Sequence, residues 1–165
     1  MYKVLIPINK SVGIELPYFS HFLNHLHDLL LKDNIKITYL LFSERLKHKI
    51  TSKIVIIGND EVNGQKPIKF FENKYAFSLR EFLYTDLLQT SPFITRTRGQ
   101  NWYLPDSEFM EVDEYCSKLN QIEKVIQEQN PDFIFSDQTT DFEFNFIKQV
   151  CLKRHIPFIR YIANF

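Results

Sequence analysis

Between Asn130 and Ile162 the chain carries two short apolar, β-rich runs on either side of one amphipathic stretch, and no other feature restricts its fold as tightly. Asn130-Pro131-Asp132 reads as a turn that delivers a strand over Phe133 to Phe135, followed by Ser136-Asp137. Thr140-Asp141-Phe142-Glu143 is a capping box: a hydroxyl satisfies an orphan helix N–H, and the glutamate three residues on reaches back. The helix it opens directs Phe142, Phe146, Ile147, Val150 and Cys151 to one side. His155-Ile156 then leads into a second strand from Pro157 to Ile162. Strand, helix and strand at this spacing make a parallel βαβ crossover. The unit also indicates where a ligand belongs, because open α/β sheets bind beyond the carboxyl ends of their strands.

The rest of the chain supplies the other half of such a sheet. Tyr2 to Ile8 is a continuous apolar run, as a central parallel strand buried on both faces requires. From about Pro17 to Lys32, Phe19, Phe22, Leu23, Leu26, Leu29 and Leu30 recur at helical spacing, and Pro17 suits a first helical turn. Ile35 to Phe42 and Lys53 to Ile57 read as the second and third strands, joined by a polar helical segment near Ser43 to Lys49. Regular alternation then lapses over residues 60–105, where Ser78-Leu79-Arg80-Glu81 is a capping box for a helix reaching about Gln89. The aromatic and apolar residues Phe70, Phe71, Tyr75, Phe77, Phe82, Leu83, Tyr84 and Leu87 make this a helical excursion with a core of its own. A long helix follows, capped by Asp106 or Ser107, with Phe109, Val112, Cys116, Leu119, Ile122 and Ile126 on one stripe and Pro131 marking its end. Right-handed crossovers turn this order into one arrangement: an α/β, Rossmann-like, three-layer domain whose five-stranded parallel sheet runs 3-2-1-4-5. The chain reverses between strands one and four, so the loops Asn9 to Glu15 and Ser136 to Asp141 should flank the switch point.

Composition excludes several classes. The 165 residues suit one domain, which buries roughly 70% of its unfolded surface without staples. Lysine plus arginine equals aspartate plus glutamate, so the basic stripe of a nucleic-acid binder is not expected. Cys116 and Cys151 fall on apolar helix faces and read as buried free thiols. No stretch approaches the roughly 20 apolar residues of a membrane span, and the start reads as a strand rather than a signal peptide. Cytoplasmic residence is the expectation, with peripheral association at the inner face of the membrane left open. Ala163-Asn164-Phe165 follows directly on a strand, and a bare parallel edge is rarely tolerated, so a partner domain beyond Phe165 is expected.

Candidate chemistry collects at the switch point. Three glycines of a dinucleotide fingerprint are required at the first strand-to-helix turn, and only Gly13 stands there. Gly13 with Lys10 and Ser11 still permits a tight loop whose donors face a ligand at a helix start, and Glu15 is placed to act as a base or to stabilise the helix dipole. Asp137 follows strand four directly and is not accounted for by a cap, whereas the cap and dipole explain Glu143 and Asp141. His21, His25 and Asp28 share one helix face at spacings that could hold a metal, but that face lies opposite the apolar stripe and reads as solvated. Arg96 and Arg98 precede Trp102-Tyr103, combining planar forks for phosphate or carboxylate with aromatic faces that stack on sugar rings or bases; the rival reading has Trp102 and Tyr103 pin the loop while the arginines stay solvated.

Pro131 to Asp137, the helix after it, and Arg154-His155-Ile156-Pro157-Phe158-Ile159 resemble the N-terminal half of GT-B glycosyltransferases that build bacterial surface and capsular polysaccharides. The likeness extends to Lys3 to Ile8 and to the helix before Pro131. It implies a two-domain transferase: this domain, residues 1–165, holds a glycan or lipid-linked acceptor, and a missing C-terminal domain holds the nucleotide-sugar donor, so no cofactor is expected in this chain. In inverting members the resemblance implies a base for the acceptor hydroxyl in this domain, Asp137 or Glu15, whereas a retaining mechanism would need none; Lys10, Ser11, Gly13, Arg96, Arg98 and Trp102 are the expected contacts. Residues 1–165 alone are then expected to be inactive. Two alternatives remain: a non-enzymatic flavodoxin-like binding or regulatory domain, and a polyol-phosphate transferase of the same build.

Overall fold

The computed structural model describes residues 1–8, 17–42, 50, 53–58, 64–81, 112–136 and 142–160. Along the chain these form β1 (Tyr2–Ile8), α1 (Pro17–Lys32), β2 (Ile35–Leu41), β3 (Lys53–Ile56), α2 (Ile68–Tyr75), α3 (Val112–Gln129), β4 (Phe133–Ser136), α4 (Phe142–Arg154) and β5 (Phe158–Arg160). All five strands are parallel and their order is β3-β2-β1-β4-β5, the expected arrangement.

Alternation along the strands divides the core in two. Val4, Ile6, Ile8, Ile37, Tyr39 and Leu41 form one layer with Leu23 of α1. Leu5, Leu40, Ile57 and Ile134 form the other with α2, α3 and α4. A sheet covered on both faces needs apolar residues at both parities, which explains the unbroken apolar runs Val4 to Ile8 in β1 and Tyr39 to Leu41 in β2. Tyr39 Oη donates to the Leu23 carbonyl over 2.7 Å and ties α1 to β2; burial raises this phenol's pKa.

The helices differ from their sequence patterns in two ways. On α1, Phe22 and Leu29 are 57% and 45% exposed although both keep helical spacing with Leu26. One sheet face covers a stripe of only about 100° on a helix, and Leu23, Leu26 and Leu30 occupy it. His27 lies between them with Nδ1 buried and unpartnered. On α3 the opposite holds: every residue from Tyr115 to Asn120 is buried, polar ones included. Packing of α2 and α4 on its flanks, in addition to the sheet, encloses it.

Each helix closes on a residue with positive φ: Asn34 (62°), Ala76 (53°), Asn130 (41°) and His155 (56°). The left-handed turn lets a following N–H satisfy an orphan carbonyl, as Ile156 N does for Cys151 O at 2.9 Å. Within the excursion the sequence pattern starts a helix at Ser78, and the structure adds an earlier one, α2, which buries Phe71 and Tyr75. Residues 79–81 turn helical where the Ser78 box starts a helix.

Entry to β4 is fixed by Asp132. Its N–H donates to the Lys3 carbonyl over 2.9 Å while its Oδ2 accepts from the Lys3 N–H over 2.7 Å. The side chain thus extends the β1–β4 ladder by one rung, which sets the register Val4↔Phe133 and Leu5↔Ile134.

Candidate functional site

The crevice at the carboxyl edge is defined by two neighbouring strands. Crossovers leave β1 towards β2 on one side, while β4 lies on the other, so the helices diverge between β1 and β4. The strands end at Ile8 and Ser136, and Ser136 is only 1% exposed.

On the α3 and α4 side this edge is closed by rings. Tyr115, near the start of α3, meets Phe142, the first residue of α4, with centroids 4.7 Å apart. Phe42, just past β2, meets Phe144 at 5.8 Å. Among these rings lies an ion pair: Lys118 Nζ donates to Glu143 Oε1 over 3.0 Å, and the two side chains are 4% and 11% exposed. Desolvating both charges costs several kcal/mol per ion by order of magnitude, so such a pair persists only with good geometry. It stands in the first turn of α4, directly after the loop that leaves β4, and pins that turn to α3.

Glu143 therefore does more than its capping box indicated: its carboxylate is the counterion of Lys118. The signal was present in α3, where Lys118 interrupts the apolar spacing between Tyr115 and Ile122. A lysine on a buried stripe requires a carboxylate nearby, and the sequence alone did not identify which.

A second buried carboxylate, Glu123, joins α3 to α2. Lys66 Nζ reaches Oε2 over 2.8 Å, while Lys74 Nζ and Tyr75 Oη reach Oε1 over 2.6 and 2.5 Å. Burial pushes the Glu123 pKa up, but the bonds from Lys66, Lys74 and Tyr75 outweigh it and hold the carboxyl below the usual carboxylate range. Burial and the bond to Glu123 raise the Tyr75 pKa. A depressed carboxylate contributes stability above its unfolded pKa and loses it as pH falls through the folded value. Glu123→Gln is expected to cost about 2 kcal/mol at pH 7, less than a fully buried pair because Lys66 and Lys74 are 42% and 35% exposed. Denaturant titration at pH 7 and pH 3 should show the difference from wild type shrinking at the lower pH.

The candidate residues Lys10, Ser11, Gly13, Glu15, Arg96, Arg98, Trp102 and Asp137 lie outside the described residues, as does Asp141. His21, His25 and Asp28 are all exposed, in keeping with a solvated face, and no group able to hold a metal occurs among the described residues. Cys116 and Cys151 are buried and in no disulfide; burial pushes the Cys151 thiol up to about 12, against the opposing charge of Arg154, which makes it a poor nucleophile. No described helix is long and apolar enough to cross a membrane.

The molecule so defined is a parallel, doubly wound α/β domain whose switch point falls between β1 and β4. No family model matches the chain, and no curated protein does. Among solved structures it is similar to CalG4, the calicheamicin glycosyltransferase, at 16% identity and a TM-score of 0.42, over 100% of this chain and 33% of that one. It is also similar to a CDPS from Fluoribacter dumoffii at 14% identity and a TM-score of 0.46, over 96% of this chain and 87% of that one. The chain thus spans about a third of the first protein. Neither similarity bears on function.

Proposed function

We propose that residues 1–165 are the acceptor-binding domain of a two-domain glycosyltransferase that acts in surface-polysaccharide assembly. The observation that carries this reading is the β1–β4 switch point, from which the segments holding Lys10, Ser11, Gly13, Glu15 and Asp137 leave the sheet. The Pro131-Asp132 entry to β4 supports it, since the Asp132–Lys3 rungs set β4 against β1.

In this reading the acceptor hydroxyl attacks the anomeric carbon of a nucleotide-sugar held by a second domain. A carbon–oxygen bond forms, the nucleoside diphosphate departs with the bonding pair, and the hydroxyl proton passes to Asp137 or Glu15. Lys10, Ser11 and Gly13 line the acceptor side, while Arg96, Arg98 and Trp102 contact the saccharide. Cytoplasmic residence with the acceptor presented at the inner membrane face belongs to the same proposal.

The test uses the gene product purified from its source cells, assayed with nucleotide-sugars and nucleotide-polyols. We expect sugar transfer by a protein of about twice this domain's mass or more, and none by residues 1–165 alone. Transfer of polyol phosphate without sugar, or a native mass equal to this single domain, would overturn it.

A further inference from the structure

The edge of the sheet away from the switch point holds a cleft that the proposed transfer does not use. It encloses about 180 Å³ and is lined by Lys3, Lys36, Lys53, Thr38, Glu128 and Gln129, with backbone of β1 and Pro131 behind them. That is below the roughly 300 Å³ at which drug-sized ligand sites begin, so the space suits a single small group.

The lysines are an electrostatic anomaly. Lys3 and Lys36 are register partners on adjacent parallel strands, and Lys53 pairs with Thr38 on the next. Alternation places all three on the sheet face shared by Leu5, Leu40 and Ile57, where they line the cleft as exposed side chains. Like charges directly opposite one another destabilise a sheet. Lys53 Nζ donates to Gln129 Oε1 over 2.7 Å, but among the described residues neither Lys3 nor Lys36 has an ion pair or side-chain hydrogen bond. Negative charge also stands here: Glu128 lines the cleft and lies 3.9 Å from Lys124, Asp132 Oδ2 accepts from the Lys3 N–H, and α3 ends with no basic residue in its last turn.

We propose that this cleft binds a phosphate group, with the ammonium groups of Lys3, Lys36 and Lys53 as its ligands and the buried Thr38 in its lining. A dianion removes the repulsion between register partners and accepts charge-assisted bonds from several donors at once. The competing explanation is that the lysines only complement the carboxyl end of α3. The two differ in sign: with no anion present, removing Lys36 relieves repulsion in the first case and removes a favourable charge in the second.

The test is an amide-shift titration of the chain with inorganic phosphate, against sodium chloride at matched ionic strength. Glycerol phosphate serves as a second arm to separate an esterified group from the free ion. Saturable movement of the Lys3, Lys36 and Thr38 amides is expected with phosphate only. Lys36→Gln and Lys3→Gln should each weaken binding at least about tenfold, the equivalent of one lost charged hydrogen bond. Both variants should raise Tm in phosphate-free buffer. No saturable movement, equal movement with chloride, or a lowered Tm for both variants with unchanged phosphate affinity would overturn the proposal.

Discussion

Lys118→Met is expected to destabilise the protein by about 3–5 kcal/mol, because it leaves Glu143 charged and buried without the cation 3.0 Å away. Methionine retains most of the apolar length of lysine, so lost packing is a minor part of the effect. The double variant Lys118→Met, Glu143→Leu should recover most of the loss, since replacing both charges by apolar groups removes the desolvation cost along with the attraction. Denaturant unfolding of the two single variants and the double variant measures the coupling. A single-variant cost under 1 kcal/mol would mean that Glu143 finds enough compensation elsewhere, and that the pair does not hold the first turn of α4. The consequence for the site follows from position. Glu143 is the second residue of α4, so loss of the pair frees the helix end on which the segment from Ser136 lands.

Phe146→Ala should cost a similar amount, about 3–5 kcal/mol, from lost transfer energy and the cavity left behind. Phe146 is fully buried and meets three rings edge-on or nearly so: Phe71 at 5.7 Å, Tyr75 at 5.3 Å and Phe77 at 5.7 Å. Each such pair adds roughly 0.5–1.5 kcal/mol beyond area burial. Two of these rings belong to α2 and the third follows it, so the same truncation should loosen α2 selectively. Hydrogen exchange at Phe71 and Tyr75 should accelerate more than at Leu5 or Ile37 in the sheet. Phe146→Leu keeps much of the volume and should cost less. Equal acceleration across sheet and α2 would show that Phe146 supports the whole core rather than this junction.

The sheet was legible because its residues repeat one physical requirement. Strands buried on both faces must be apolar at both parities, and Val4 to Ile8 and Tyr39 to Leu41 are. Crossover handedness then left one strand order. What escaped was decided by contacts distant in sequence. Phe22 and Leu29 fit the α1 stripe by spacing, but the sheet covers only one side of that helix. Lys118 and Glu123 fall on the buried surface of α3, and the partners that make their burial tolerable, Glu143 and Lys74, stand on the flanking α4 and α2. Asn130 and Asn34, whose residue type tolerates positive φ, mark helix ends the sequence could have specified more closely; Ala76 and His155 offer no such cue. For the site, topology located the crevice between β1 and β4. The choice among Asp137, Glu15 and their neighbours rests on chemistry that no spacing rule ranks.

The most direct measurement is an amide-shift map of isotopically labelled chain titrated separately with oligosaccharides and with nucleotide-sugars. Saturable shifts from a saccharide at Ile8, Ser136 and Phe142, weakened by Asp137→Ala and absent with nucleotide-sugars, are the expected result. Saccharide binding confined to the exposed face of α1, or nucleotide-sugar binding at the carboxyl edge without any response to saccharides, would contradict an acceptor site between β1 and β4.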